Sequence, residues 1–489
     1  MTTSFLATRR GKLTLALLCC VAFMDFVDAS IVNVALPSIR HDLHFSVQGL
    51  QWVPSAYLLT YGGFMLLGGR AADLLGRRRV LVLGTLIIGV ASLVGGFAGD
   101  SGVLIGARLV QGFGAALMLP SALSILTTSF RDGKDRHTAL GVWAAVAGLS
   151  SAAGVLAGGL LTQGPGWRWV MFVNPIACLL LLGPIFRLLD ADRRKARAAD
   201  FDIPGAILAT AGMLLLVFAL VKAPDQGWGS GSTVGELAGA VVLLTVFLLN
   251  EARSRKPLLA LSIFKVRGLA AADATQLIAM AGFFSMFFFV TLYMQNVLGY
   301  SPIKAGLAYL PLCFAIGFSA TGAGKALSRV GTRPVIAVGA LVTATGVYLL
   351  SRIPVHGSFL TDLLPGMLVM AVGMGAMFVG VSTAANAGVR PDQAGLAAAL
   401  LNSAQQVGGA LGLAVLSAIA TSRTNSLLAA HTALPAALTS GFHRALLAGS
   451  IALAASALLA LRIANTRGDE HAGIPAPQPE SDSESVPAN

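Results

Sequence analysis

The chain has 489 residues, of which 55% are hydrophobic and only 11% charged, and its mean hydropathy is +0.77. This balance excludes a soluble protein with a charged shell and leaves lipid as the main solvent. A formal charge of +12 would suit nucleic acid if it gathered on one face, but Lys and Arg fall in short bursts between apolar runs, which excludes a nucleic-acid partner.

Apolar stretches of about 20 residues, the length that carries a helix through a hydrocarbon core, recur along the whole chain. Fourteen of them predict an all-α integral membrane protein. In chain order they cover approximately 13–36, 49–69, 79–98, 102–128, 138–161, 167–189 and 203–222, then 232–250, 268–294, 304–324, 335–351, 361–384, 395–419 and 442–463. The first lacks a small-residue cleavage site and reads as a retained span, not a signal peptide. Cys19, Cys20, Cys178 and Cys313 all lie within apolar runs, without metal-ligand spacing, and are expected to be small core residues. From about Thr466 the chain carries Pro475, Pro477, Pro479 and Pro487 among Ser and acidic residues, a composition expected to stay disordered.

An even number of spans places both termini on one side. With the termini in the cytoplasm, 26 of the 34 Lys and Arg lie inside, Arg193, Arg194 and Lys195 among them, and seven outside, counting Arg168 and Arg444 at span edges. Basic residues resist translocation, so this orientation is the expected one. Trp52, Trp167, Trp169 and Trp228 then fall near outer span ends, at headgroup level.

Three charges lie deep inside predicted spans, away from their ends: Asp25 and Asp28, three residues apart on one face of span 1, and Arg108 in span 4. An intramembrane charge costs several kcal/mol unless it is paired, protonated or wet, so these are the first functional candidates. At about 1.5 Å per residue, Asp28 and Arg108 lie at similar depth, roughly 12 and 9 Å from the outer ends of their spans. Asp28 or Asp25 is expected to take up a proton from outside, with Arg108 favouring the ionised form; the alternative is a fixed interhelical ion pair. Asp273 and Glu236 lie near span ends, where water is in reach. Asn402, Gln405 and Gln406 are expected to hydrogen-bond between helices. Tyr57, Tyr61, Phe283, Phe284, Met286, Tyr293 and Gln295 are candidates for lining an apolar cavity.

The loop Gly69-Arg70-Ala71-Ala72-Asp73-Leu74-Leu75-Gly76-Arg77-Arg78-Arg79-Val80 recurs 255 residues later as Gly324-Lys325-Ala326-Leu327-Ser328-Arg329-Val330-Gly331-Thr332-Arg333-Pro334-Val335. Both glycines, two basic positions and the final valine coincide. The repeat implies two six-span halves with spans 7 and 8 inserted between them, an arrangement in which one half rocks against the other about a central site. The expected division is 1–189 for the first bundle, 190–267 for the insertion, 268–463 for the second bundle and 464–489 for the tail.

These features resemble the major facilitator superfamily, in particular its fourteen-span drug:proton antiporter branch. Gly69 to Arg79 is similar to the superfamily's G-x-x-x-D-x-x-G-R-R/K loop. Asp28 to Pro37 is similar to the branch's span-1 sequence, with Ser30 where Thr is usual and with Asp25 outside the pattern. Arg108, Gln111 and Gly112 resemble the span-4 sequence, and Trp167-Arg168-Trp169 with Phe172, Asn174 and Pro175, and Tyr293-Met-Gln295 up to Pro302, also resemble this branch. The span-5 run Gly148 to Gly159 departs from it: Gly154-Val155 stands where exporters have Gly-Pro, and Gly154, Gly158 and Gly159 are retained.

The resemblance implies a major facilitator fold of two six-helix bundles plus two inserted helices, and proton-coupled antiport of small lipophilic compounds, as in antibiotic self-resistance. It further implies a monomer in a bacterial plasma membrane, needing no cofactor beyond the proton gradient, with Asp73, Arg70, Gly76 and Arg77 latching the halves when the inner side is closed. Export or import of a metabolite, lipid or siderophore is the alternative on the same scaffold. A membrane transferase using Asp25 and Asp28 to hold Mg²⁺ is remote, since both lie well within the span.

Overall fold

The computed structural model describes residues 5–46, 48–130, 133–190, 202–254, 257, 261–266, 268–389 and 394–467. They form fourteen long helices and, among the described residues, no strand. In order these are α1 (Arg9–Asp42), α2 (Trp52–Leu75), α3 (Arg77–Gly96), α4 (Ser101–Ser129), α5 (Gly133–Gln163), α6 (Arg168–Leu188) and α7 (Ile203–Gln226). They continue as α8 (Gly231–Arg253), α9 (Leu269–Leu292), α10 (Pro302–Val330), α11 (Thr332–Leu350), α12 (Leu364–Asn386), α13 (Ala394–Ala429) and α14 (Leu434–Ala460). Every predicted span falls on one of them. By length and composition, twelve are apolar enough among the described residues to cross a membrane. Most of the predicted tail lies outside the described residues, as does the run Arg193-Arg194-Lys195.

Helix starts follow short polar side chains that accept the first free amide protons. Thr8 accepts from Gly11, Asp100 from Gly102 and Val103, Ser230 from Thr233, and Ser301 from Lys304. The perimeter is apolar: Leu179, Leu180, Val241, Phe318 and Leu458 all stand exposed, a surface suited to lipid and not to water. Two boundaries differ from expectation. Helix α13 runs ten residues past the predicted span, and α14 begins eight residues before it. Arg423 and Arg444, expected in a loop and at a span edge, therefore stand within helices, because hydropathy marks where a helix leaves the hydrocarbon and not where its hydrogen bonding stops. Cys20 is exposed, contrary to the expectation that all four cysteines are core residues; it lies on the lipid-facing side of α1.

The repeated loop is repeated in structure. Gly76 joins α2 to α3 at φ 108°, and Gly331 joins α10 to α11 at φ 89°, backbone conformations that side-chain-bearing residues rarely adopt. The crossings that follow also match. A Cβ on Gly84 of α3 would lie 2.7 Å from the Gly114 carbonyl and the Met118 amide of α4, and one on Gly339 of α11 would lie 3.0 Å from the Gly373 carbonyl and 3.1 Å from Met377 of α12.

The halves are joined most extensively on one side. On the side opposite the termini a single hydrophobic core takes in Ile31 and Leu36 of α1, Val155 of α5, Phe288 of α9 and Tyr293 just after it, Tyr309 of α10 and Phe442 of α14. There α5 and α10 approach closely, with Gly159 against Ile303 and Gly306 against the Val155 carbonyl, and Gln295 donates to the Val34 carbonyl across the halves at 2.9 Å. On the terminus side the core breaks into separate clusters, one centred on α1, α2 and α4 that also takes in Ala410 and Ala414 of α13, and another on α9, α12 and α14. Helices α2 and α13, side by side, remain as the link.

Gly84→Val and Gly373→Val should each lower the melting temperature in detergent, since overpacking against backbone costs about 1–3 kcal/mol. Gly317→Ala, which faces open space, should leave it unchanged. Fluorescence-detected gel filtration after a heat step measures all three.

Candidate functional site

The three intramembrane charges meet in the first bundle, all at least 97% buried. Arg108 on α4 places one terminal nitrogen 2.8 Å from Asp28 Oδ2 and 3.0 Å from Gln111 Oε1, and its Nε donates to the Val53 carbonyl of α2 at 3.1 Å. The other Asp28 oxygen accepts from Asn174 of α6. Ser92 of α3 closes the ring: its hydroxyl accepts from Gln111 Nε2 and, at 3.3 Å, from Asn174 Nδ2. Five helices thus contribute to one ion pair, which suits a low-dielectric setting where an unpaired charge or donor is costly.

Asp25 lies one turn along α1 in a different setting. Tyr57 donates to its Oδ1 at 3.2 Å and Tyr61 to its Oδ2 at 2.8 Å, and no cation bonds to it among the described residues. Tyr57 joins the two centres, because its ring lies under the Arg108 guanidinium at 4.2 Å while its hydroxyl reaches Asp25. Asp28 is therefore held by a fixed charge, whereas Asp25 is held by neutral donors only. As a carboxylate Asp25 accepts two hydrogen bonds, and as an acid it can lose or gain a proton without breaking an ion pair.

The glycines set the approach of the helices. A Cβ on Gly112 would meet the Tyr57 carbonyl of α2 at 2.2 Å, one on Gly154 would meet Ser30 Oγ of α1 at 1.9 Å, and one on Gly158 would meet the Ile31 carbonyl at 2.5 Å. Gly154 and Gly158 share the α5 face that docks on α1, while Gly159 docks on α10.

Other expected site residues are distributed differently. Tyr57, Tyr61, Met286 and Tyr293, expected to line a cavity, are enclosed, the first two by Asp25 and the last by the Pro354 carbonyl that its hydroxyl reaches. Phe283 and Phe284 are partly exposed and pack edge-to-face on each other, and Phe283 also meets Phe287 and Phe378 edge-on. Gln295 bridges the halves through its side chain. Of the predicted loop Gly69–Val80, Gly69 to Leu75 form the last turns of α2, with Arg70 exposed, and Gly76 alone separates α2 from α3. Arg77 follows as the first residue of α3. Arg78 donates to the Phe186 carbonyl and lies over the Phe186 ring, a contact within the first half. The Asp73 side chain lies outside the described residues. Asp273 is buried, contrary to the expectation that it reaches water, and neither of its oxygens has a hydrogen-bond partner among the described residues. Gln405 accepts from Gln276 across α9 and α13 at 3.2 Å, whereas Asn402 bonds within its own helix.

The second half has no such cluster at the matching positions. Gly84 pairs with Gly339, and Gly114 and Met118 pair with Gly373 and Met377 in the two crossings. The same spacing pairs Ser92, Arg108 and Gln111 with Val347, Met367 and Met370, all buried and apolar.

The Major Facilitator Superfamily model matches residues 18–413. The puromycin resistance protein of Streptomyces alboniger is 42% identical over 419 residues, 85% of this chain and 83% of the relative. The cephamycin export protein of Amycolatopsis lactamdurans is 37% identical over 86% of this chain and 87% of the relative. The tetracenomycin C resistance and export protein of Streptomyces glaucescens is 36% identical over 82% and 74%. Among solved structures, a bacterial homologue of the human lysosomal transporter Spinster, inward-facing and occupied, superposes with a TM-score of 0.66 at 17% identity, covering 93% of this chain and 97% of that one.

Asp28→Asn should destabilise the protein by about 3–5 kcal/mol, the cost of leaving a buried partner charge uncompensated. Asp28→Asn combined with Arg108→Gln should recover much of that loss. Thermal melting of the two single variants and the double variant reads the coupling, and additive losses would show that the pair contributes nothing.

Proposed function

Because the chain belongs to the Major Facilitator Superfamily, we propose that it exports a small lipophilic compound of antibiotic type across a bacterial plasma membrane, by alternating access and in exchange for protons. The observation that carries the coupling is the split between the carboxylates: Asp28 on Arg108 and Asp25 on two phenols. The names of the relatives, resistance and export proteins for several antibiotics, support the direction and class of cargo. With the termini in the cytoplasm, as the distribution of Lys and Arg favours, the end where the core divides faces inward. This shape is one that loads from the cell.

In this reading Asp25 carries the proton and Asp28 reports its arrival. A proton entering from outside neutralises Asp25 and loosens its hold on Tyr57 and Tyr61. The Tyr57 ring then shifts under Arg108, changing the balance of a pair that ties α1 to α4. Cargo leaving on the outer side and a proton leaving on the inner side complete the cycle. One proton driven across 100 mV supplies about 2.3 kcal/mol, enough to sustain a concentration ratio of about fifty. The exporter works as a monomer in this reading, since both halves of the path come from one chain.

Inverted membrane vesicles, made acid inside and carrying a pH-sensitive dye, test the reading with a panel of lipophilic antibiotics. Wild type should release protons when drug is added. Asp25→Asn should fall to the level of empty vesicles while still binding drug, and Tyr57→Phe, which keeps the ring under Arg108 and removes the donor, should retain only part of the response. Undiminished proton release from Asp25→Asn would remove Asp25 from the coupling path.

A further inference from the structure

On the side opposite the termini, where the α7–α8 loop meets α13 and α14, lies a cavity of about 300 Å³. Trp228, Ser422, Arg423, Ser426 and Arg444 line it. Arg423 spends its Nε on Ser440 Oγ at 3.2 Å. Its terminal nitrogens bond to nothing among the described residues, and Arg444 has neither a hydrogen bond nor an ion pair among them.

Two guanidiniums sharing one cavity repel each other, and between them they hold several unused donors in planar forks. The group that relieves both conditions is an anion with three or more acceptor oxygens, for which phosphate has the matching geometry. The two serines add hydroxyl donors. Trp228, 51% exposed, stands at the rim, where an amphipathic ring marks headgroup level. Next to the cavity, α13 and α14 present Val415, Leu447 and Ile451 outward, an apolar surface that acyl chains would cover.

We propose that this cavity is a phosphate-binding site, placed to take the headgroup of an anionic lipid and so to tie the inserted helices to the second bundle. It is independent of the transported compound and of the coupling carboxylates. A free phosphate ion offers the same oxygens without the acyl chains, and the test separates the two sources.

The full-length protein, purified and reconstituted in phosphatidylcholine nanodiscs doped with phosphatidylglycerol, is released for native mass spectrometry. In parallel its melting is followed in inorganic phosphate against chloride at equal ionic strength. Wild type should retain phosphatidylglycerol over phosphatidylcholine, and Arg423→Gln with Arg444→Gln should cut that preference by about tenfold, with Arg423→Lys and Arg444→Lys intermediate. Retention of the lipid without an effect of inorganic phosphate assigns the site to lipid. Protection by inorganic phosphate without lipid preference assigns it to the free ion. Arg444→Gln alone changes an exposed residue and keeps the test valid if the double variant fails to fold. Equal lipid retention in Arg444→Gln and wild type, together with no protection by phosphate, would overturn the proposal.

Discussion

A guanidinium and a carboxylate 2.8 Å apart in the middle of a helical membrane bundle impose conditions on everything around them. Each has more hydrogen-bonding capacity than the other can fill, and lipid supplies none. The remaining lone pairs and protons are met by Gln111, Asn174, Ser92 and the Val53 carbonyl, drawn from four further positions on α2, α3, α4 and α6. Those partners come close enough only because glycine stands where the helices cross, at Gly84 between α3 and α4 and at Gly112 between α4 and α2. The tight packing of the first bundle and the survival of its buried charge are therefore one requirement seen from two sides.

The second bundle meets no such requirement, and its interior shows it. The same crossing geometry recurs at Gly339 and Gly373, but Met367, Met370 and Val347 fill the layer that the charged network occupies in the first half. Methionine adapts its shape to irregular gaps, and with Phe283, Phe284 and Phe378 nearby it gives this half a soft, apolar interior. A duplicated framework thus holds two different contents, one polar and rigidly bonded, the other apolar and adaptable.

Much of the fold was legible because membrane insertion is written in composition. All fourteen helices stand where runs of apolar residues predict them, and the loop repeat at Gly69 and Gly324 anticipates the paired turns at Gly76 and Gly331. The depth estimate for Asp28 and Arg108 needed only the rise of a helix, and it brought them to the same level. What was hidden depended on azimuth and on neighbours. Nothing in spacing says that Tyr57 and Tyr61 turn toward Asp25 and not toward a cavity, or that Ser92 is shared by Gln111 and Asn174. The available signal was that each is a polar group at matching depth in an apolar span. Hydropathy also failed at α13 and α14, whose helical hydrogen bonding continues into polar sequence.

Helix α1 runs from Arg9 to Asp42, and its 34 residues give it a length of about 51 Å, with Asp25 at its middle. A rod that rocks about its centre moves its ends most and its centre least. A tilt of about ten degrees would swing each end by about 4 Å and shift Asp25 and Asp28 by less than about 1 Å. The carboxylates sit at the fulcrum, so the openings above and below them can change while the hydrogen bonds that hold them keep their lengths.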